Sequence, residues 1–197
     1  MPSGSGVLLI GLLLGAAIAL WAIVAFIRGI RLIFIKGSIV LRPLLLDFEQ
    51  TIADAEKRLL ELEESEVRMK PGDGKWSRKE TLGHLIDSAS NNHQRFVRAQ
   101  FGSELTFPDY AQSDWVTIQD YQNESWVSLV HFWVMYNRHL LHLLSVIPGE
   151  NLKGHYFIGE EEPITLEELI REYVKHLKHH LRTILSESGP QRGTEGQ

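Results

Sequence analysis

His176 and His180 stand four residues apart in Tyr173-Val174-Lys175-His176-Leu177-Lys178-His179-His180-Leu181. On a helix this spacing puts both imidazoles on one face, with Cβ atoms about 5–6 Å apart, close enough to grip one divalent ion. With nine histidines in 197 residues, about 0.4 such pairs arise by chance, so the spacing needs a third ligand. His84 is the candidate, inside Trp76-Ser77-Arg78-Lys79-Glu80-Thr81-Leu82-Gly83-His84-Leu85-Ile86-Asp87. Three neutral imidazoles with no obvious fourth protein ligand describe an open coordination site, completed by water or substrate, as catalytic sites usually are. Other chemistries fail on motif. The chain has no H-E-x-x-H, no G-x-S-x-G and no E-x-x-H pair of the di-iron carboxylate bundles. It also has no cysteine, which removes disulfides, thiolate-bound zinc and a cysteine nucleophile together.

The elements that must hold these histidines read as helices. From Pro43, Leu45, Phe48, Ile52, Ala55, Leu59 and Leu62 recur at three and four, with Glu49, Asp54, Glu56, Lys57 and Glu61 on the other side. Lys70-Pro71-Gly72-Asp73-Gly74 breaks the chain after this first helix. Ser77 and Glu80 form a capping box that starts the second helix. On it Leu82, Leu85, Ala89, His93 and Phe96 gather on one side and His84, Ser88, Asn91 and Arg95 on the other. A polar row without Lys or Glu predicts a cleft lining, where an ordinary wet face would carry both. Residues 101–122 lack a sustained period and hold Phe107, Tyr110, Trp115 and Tyr121, which predicts a long loop over a pocket or over the bundle end. A third helix is expected over 123–146, mostly core, with His131, His139 and His142 at its surface or hydrogen-bonded within it. An extended piece follows over 153–159. Thr165 and Glu168 make a second capping box, with Ile164 and Leu169 as a hydrophobic staple, and start the last helix. His176 and His180 fall toward its apolar arc, whereas His179 points further out and is left for an outer shell.

Residues 7–27 carry no charge and as a helix would span about 31 Å, the thickness of a bilayer core. Arg28, Arg31, Lys36 and Arg42 follow the run, so the positive-inside bias predicts a single-pass transmembrane helix with the remainder in the cytoplasm. The alternative is a translation start read too early, with a cytoplasmic domain initiating near Val40. The division expected is a hydrophobic anchor and basic segment over 1–42, a bundle over 43–186, and a disordered polar tail over 187–197. A net charge of -5 offers no basic stripe for a phosphate backbone, so nucleic acid is not an expected partner. The expected partners are a small-molecule substrate, the membrane through the N-terminal helix, and a second copy of the chain in a homodimer.

Over residues 44–185 the chain resembles the DinB/YfiT-like family of metal-binding four-helix bundles. The resemblance rests on Lys75-Trp76-Ser77-x-x-Glu80-x-x-Gly83-His84-Leu85-Ile86-Asp87 and on His176-x-x-His179-His180-Leu181. It implies an all-α, DinB-like four-helix bundle, here preceded by the transmembrane helix, and a divalent metal on His84, His176 and His180. All-imidazole ligation favours zinc or nickel. Characterised relatives use low-molecular-weight thiols, which implies an S-transferase with a thiol cosubstrate that Asn91 and Arg95, further along the His84 row, would orient. A metal-dependent hydrolase and a non-catalytic membrane-tethered scaffold are the alternatives.

Overall fold

The computed structural model describes residues 39–102, 104–159 and 162–186. The segment 7–27 expected to cross a membrane and the polar tail both lie outside the described residues. Among the described residues no helix is long and apolar enough to cross a membrane. In chain order the elements are α1 (Arg42–Leu60), α2 (Glu64–Val67), α3 (Arg78–Arg98), β1 (Leu105–Phe107), α4 (Gln112–Ile118), α5 (Trp126–Val146), β2 (His155–Ile158), β3 (Ile164–Thr165) and α6 (Leu166–Leu185).

The bundle is built from α1, α3, α5 and α6. Both α1 and α3 pack against α5 and α6, so α1 and α3 stand diagonally across the bundle although they follow one another in sequence. This arrangement makes α3 and α6 neighbours, and those are the helices that carry the histidines. Leu45, Phe48, Ile52, Ala55 and Leu59 of α1 are buried, as their spacing predicts. Leu41, just before α1, is fully buried and joins the same core. At the centre, Tyr173 of α6 meets the rings of Phe48 and Phe96 edge-on, at centroid distances of 6.0 and 5.7 Å. Its hydroxyl donates to Asn137 Oδ1 at 2.6 Å, and Asn137 donates to the Trp133 carbonyl, so the buried amide is paired at both ends.

Both capping boxes are present. Ser77 Oγ accepts from the Glu80 amide while the Glu80 carboxylate accepts from the Ser77 amide, and Thr165 with Glu168 repeats the pattern on α6. Such caps are worth about 1 kcal/mol each, and here they fix where the helices carrying His84 and the His176/His180 pair begin. The third long helix starts at Trp126 with Ser125 as its N-cap, because residues 121–123 turn as a separate 3-10 helix.

The all-α expectation needs a correction at one end of the bundle, where three short strands form a sheet in the order β1-β2-β3. β1 pairs with β2 in parallel, Leu105 opposite Tyr156, and β2 pairs with β3 antiparallel, His155 opposite Thr165. Residues 101–122 are therefore an organised cap of β1 and α4. Strands of two to four residues are too short for alternation to show. Tyr156 ties the sheet down by donating to the Ala99 carbonyl at 3.0 Å and stacking on Phe107.

Candidate metal centre

His84 sits in the second turn of α3 and is 1% exposed. Trp76, just before the helix, lays its ring against the imidazole at 5.0 Å. Across from it, α6 presents His176 and His180, both half-buried. Their ring centroids lie 5.1 and 5.0 Å from that of His84 and 4.5 Å from each other. One ligating nitrogen from each residue lies within 4.8 Å of the other two, and among the described residues this is the metal-competent group of three. His84 Nε2 and His176 Nε2 are 3.2 Å apart. Two nitrogens each about 2.0–2.1 Å from one tetrahedral zinc would stand about 3.3 Å apart, so the donor set fits a divalent ion in both chemistry and spacing.

All three imidazoles are held neutral, which is the form that ligates. Burial, then the neighbouring His176 and His180, pull His84 down to about 3. Burial, then His176 and His179, pull His180 down to about 4. His176 is lowered by burial and then by His179. The sign for stability follows. In the unfolded chain these histidines take a proton near the ordinary value of about 6.5, whereas in the fold they resist it until well below that. The metal-free protein is thus expected to keep its stability above pH 6.5 and lose it progressively toward pH 4. Each such group contributes at most about 1.4 kcal/mol per pH unit. Thermal melting of metal-free protein between pH 7.5 and 4.5 checks this, and a His84→Ala, His180→Ala variant should show a shallower slope; an equal slope would refute the attribution.

The other candidates fall as follows. His179 is exposed, with its ring 5.2 Å from that of His180 and outside the group of three. His131, His139 and His142 are exposed on α5, and none belongs to the group. His139 packs its ring against His93, which pairs with the Tyr136 hydroxyl at 3.2 Å. The polar row on α3 is covered: His84, Ser88 and Arg95 are buried and Asn91 half-buried. Asn91 donates to the Asp87 carbonyl on its own helix at 3.0 Å. Arg95 donates to the Pro108 carbonyl of the cap at 3.3 Å.

Sequence reasoning passed over Asp87, which is 2% exposed and holds the cap to α3. Its Oδ1 accepts the Tyr121 hydroxyl at 2.7 Å and also the Gln119 side-chain amide. Asp120 between these two donors takes a left-handed conformation, φ 49°, which an Asp tolerates better than most residues and which turns both neighbours toward the same carboxylate. Burial pushes the Asp87 carboxyl up, against the pull of the two hydrogen bonds. Burial, then Asp87, pushes Tyr110 up to about 12, and Arg95 opposes that shift, so Asp87, Tyr110 and Arg95 sense one another under the cap. The available signal was the position of Asp87 three residues after His84. Lys79, in the same motif, is fully buried and paired with Glu64, whose other oxygen accepts the Trp126 amide at 3.1 Å; it joins α2, α3 and α5.

The family model of the DinB superfamily matches residues 47–184. YfiT of Bacillus subtilis (strain 168), named as a metal-dependent hydrolase, is 26% identical over 113 residues, 57% of this chain and 64% of YfiT. The chain thus spans a little under two thirds of that relative's length. BH0277 of Halalkalibacterium halodurans, also named as a metal-dependent hydrolase, is 25% identical over 123 residues, 62% of this chain and 71% of BH0277. The solved structure of Bacillus subtilis YfiT, described as having an unusual four-helix bundle topology, matches with a TM-score of 0.63 at 21% identity over 71% of this chain and 83% of that one. At that identity the match shows the fold. With the family model covering both capping boxes and all three histidines, this chain belongs to the DinB superfamily.

Proposed function

We propose that this protein is a metal-dependent enzyme in which His84, His176 and His180 hold a divalent ion and the nucleophile comes from outside the chain. The observation that carries this reading is the convergence of three neutral imidazoles from two helices, with no carboxylate in the group and no cysteine in the chain. When bound, zinc or nickel would lower the pKa of water or of a small thiol and so supply a nucleophile near neutral pH. The chain's own residues hold the three nitrogens toward one point, keep them unprotonated, and cover the outer face of His84 with Trp76.

Hydrolysis is the first reading, supported by the names of the two curated relatives. S-transfer from a low-molecular-weight thiol is the second, supported by Arg95, a buried cation on the His84 side of α3 suited to a cosubstrate carboxylate, with Asn91 one turn nearer. The test takes metal-loaded protein, purified without an affinity tag and checked by elemental analysis. It offers esters, amides and lactones in one series and small thiols with a generic electrophile in another. Hydrolysis that falls to background in His180→Ala supports the first reading. Thiol transfer without hydrolysis, weakened in Arg95→Ala, would replace it with the second. Inactivity in both series with a fourth protein ligand on the metal would leave a scaffold. The charge-free run over 7–27 and its basic flank support a membrane anchor with the bundle in the cytoplasm, a reading that native protein recovered in the soluble fraction would refute.

A further inference from the structure

Among the described residues, the buried side-chain polar atoms with no hydrogen-bond partner are His84 Nδ1, Asp87 Oδ2 and Trp133 Nε1. The first two are complementary. They belong to residues three apart on α3, whose side chains are therefore neighbours on the helix surface, about 5–6 Å apart at Cβ. Both residues are almost wholly buried, at 1% and 2% exposure. Trp133 is a lone donor elsewhere in the core.

The protonation pattern makes one atom a donor and the other an acceptor. His84 turns Nε2 toward His176 Nε2 at 3.2 Å, so a ligating lone pair belongs on Nε2 and the ring proton on Nδ1. A ligating histidine generally donates its other ring N–H to a carboxylate, a carbonyl or a water, which fixes tautomer and ring orientation. Asp87 has its Oδ1 already engaged by Tyr121 and Gln119, which fixes the carboxylate and leaves Oδ2 as the one acceptor without a donor.

We propose that Asp87 is a positioning residue of the metal centre: its Oδ2 is the acceptor for the Nδ1–H of His84. The inference rests on the metal reading above and assigns a residue to it. The two atoms are an orphan donor and an orphan acceptor one turn apart on the same helix, so each supplies the partner that the other lacks. The assignment also gives the cap a task at the metal. Gln119 and Tyr121 set the carboxylate, the carboxylate sets His84, and His84 meets the α6 pair.

The test uses the full chain and zinc as the probe. Asp87→Asn keeps the side-chain size and an acceptor for Tyr121, but puts an amide donor where Oδ2 was. It is expected to weaken zinc binding about 10- to 100-fold in a chelator competition. Tyr136→Phe removes a hydroxyl paired with His93, outside the group of three, so its zinc affinity should stay close to the parent's. Nitrogen-15 NMR of the metal-free parent near neutral pH should show His84 as the Nδ1–H tautomer with a slowly exchanging proton, and this readout stands even where a variant fails to fold. Asp87→Asn binding zinc as tightly as the parent, Tyr136→Phe weakening it equally, or an Nε2–H tautomer in the parent would each overturn the assignment. A parent that binds no zinc overturns the metal reading itself, whereas a zinc-binding parent matched by Asp87→Asn overturns only the role of Asp87.

Discussion

Replacing His180 by Ala is expected to abolish stoichiometric metal binding. His176→Ala should do the same, while His179→Ala should leave one ion per chain. The three residues lie within five positions of one another on α6, so they share length of helix, local sequence and much of their solvent. What separates them is direction: His176 and His180 bring their rings to about 5 Å from His84, and His179 is exposed. Removing one of three protein ligands leaves two, and the loss should exceed the roughly 10- to 100-fold cost of disturbing an outer-shell partner. Instability is a poor competing explanation, because Ala is the strongest helix former and both positions are only half-buried. Metal content by elemental analysis, with the melting temperature of each metal-free variant beside it, decides the matter. Full metal retention in a His84→Ala, His176→Ala double variant would sink the assignment.

The parts of this molecule legible in its sequence are those fixed by neighbours along the chain. The boxes at Ser77/Glu80 and Thr165/Glu168 are local hydrogen-bond patterns, and both appear where the spacing puts them. The direction of His176 and His180 follows from helical period alone. That the row of His84, Ser88 and Arg95 is no wet face was legible in its lack of Lys and Glu, and all three are buried. Period names a face without naming what covers it. The cover is the segment 101–122, held by Gln119 and Tyr121, which meet Asp87 across 32 and 34 residues of chain. Its β1 finds a partner in residues 156–158, some fifty positions away, and no spacing within either strand announces that register. Asp87 was overlooked for the same reason: its place three residues after His84 marks it, but its role shows only in its distant donors.

Gly83→Ala is expected to destabilise the protein, although glycine to alanine inside a helix ordinarily stabilises by about 1 kcal/mol. Gly83 lies within α3, one residue before His84. A Cβ there would come 2.1 Å from Tyr121 Cδ2, 2.3 Å from its Cγ and 2.6 Å from its Cε2. Those atoms belong to a rigid ring rather than to the end of a flexible chain, and the ring is 6% exposed with its hydroxyl bonded to Asp87 at 2.7 Å. It cannot step aside without giving up that bond. Overpacking of this kind costs about 1–3 kcal/mol, and losing a donor to a buried carboxylate adds a comparable amount, so the steric cost outweighs the helix gain. For a domain of this size the melting temperature should fall by roughly 2–4 °C for each kcal/mol. A double-mutant cycle separates clash from backbone effects. With Tyr121→Ala already in place, the methyl at position 83 meets no ring, and the same substitution should turn neutral or stabilising. A Gly83→Ala protein that melts above the parent would refute the close packing of Tyr121 on α3. The residue is then glycine because the cap must reach the helix surface at that point, one residue from His84, so that the side chains holding Asp87 come within bonding distance.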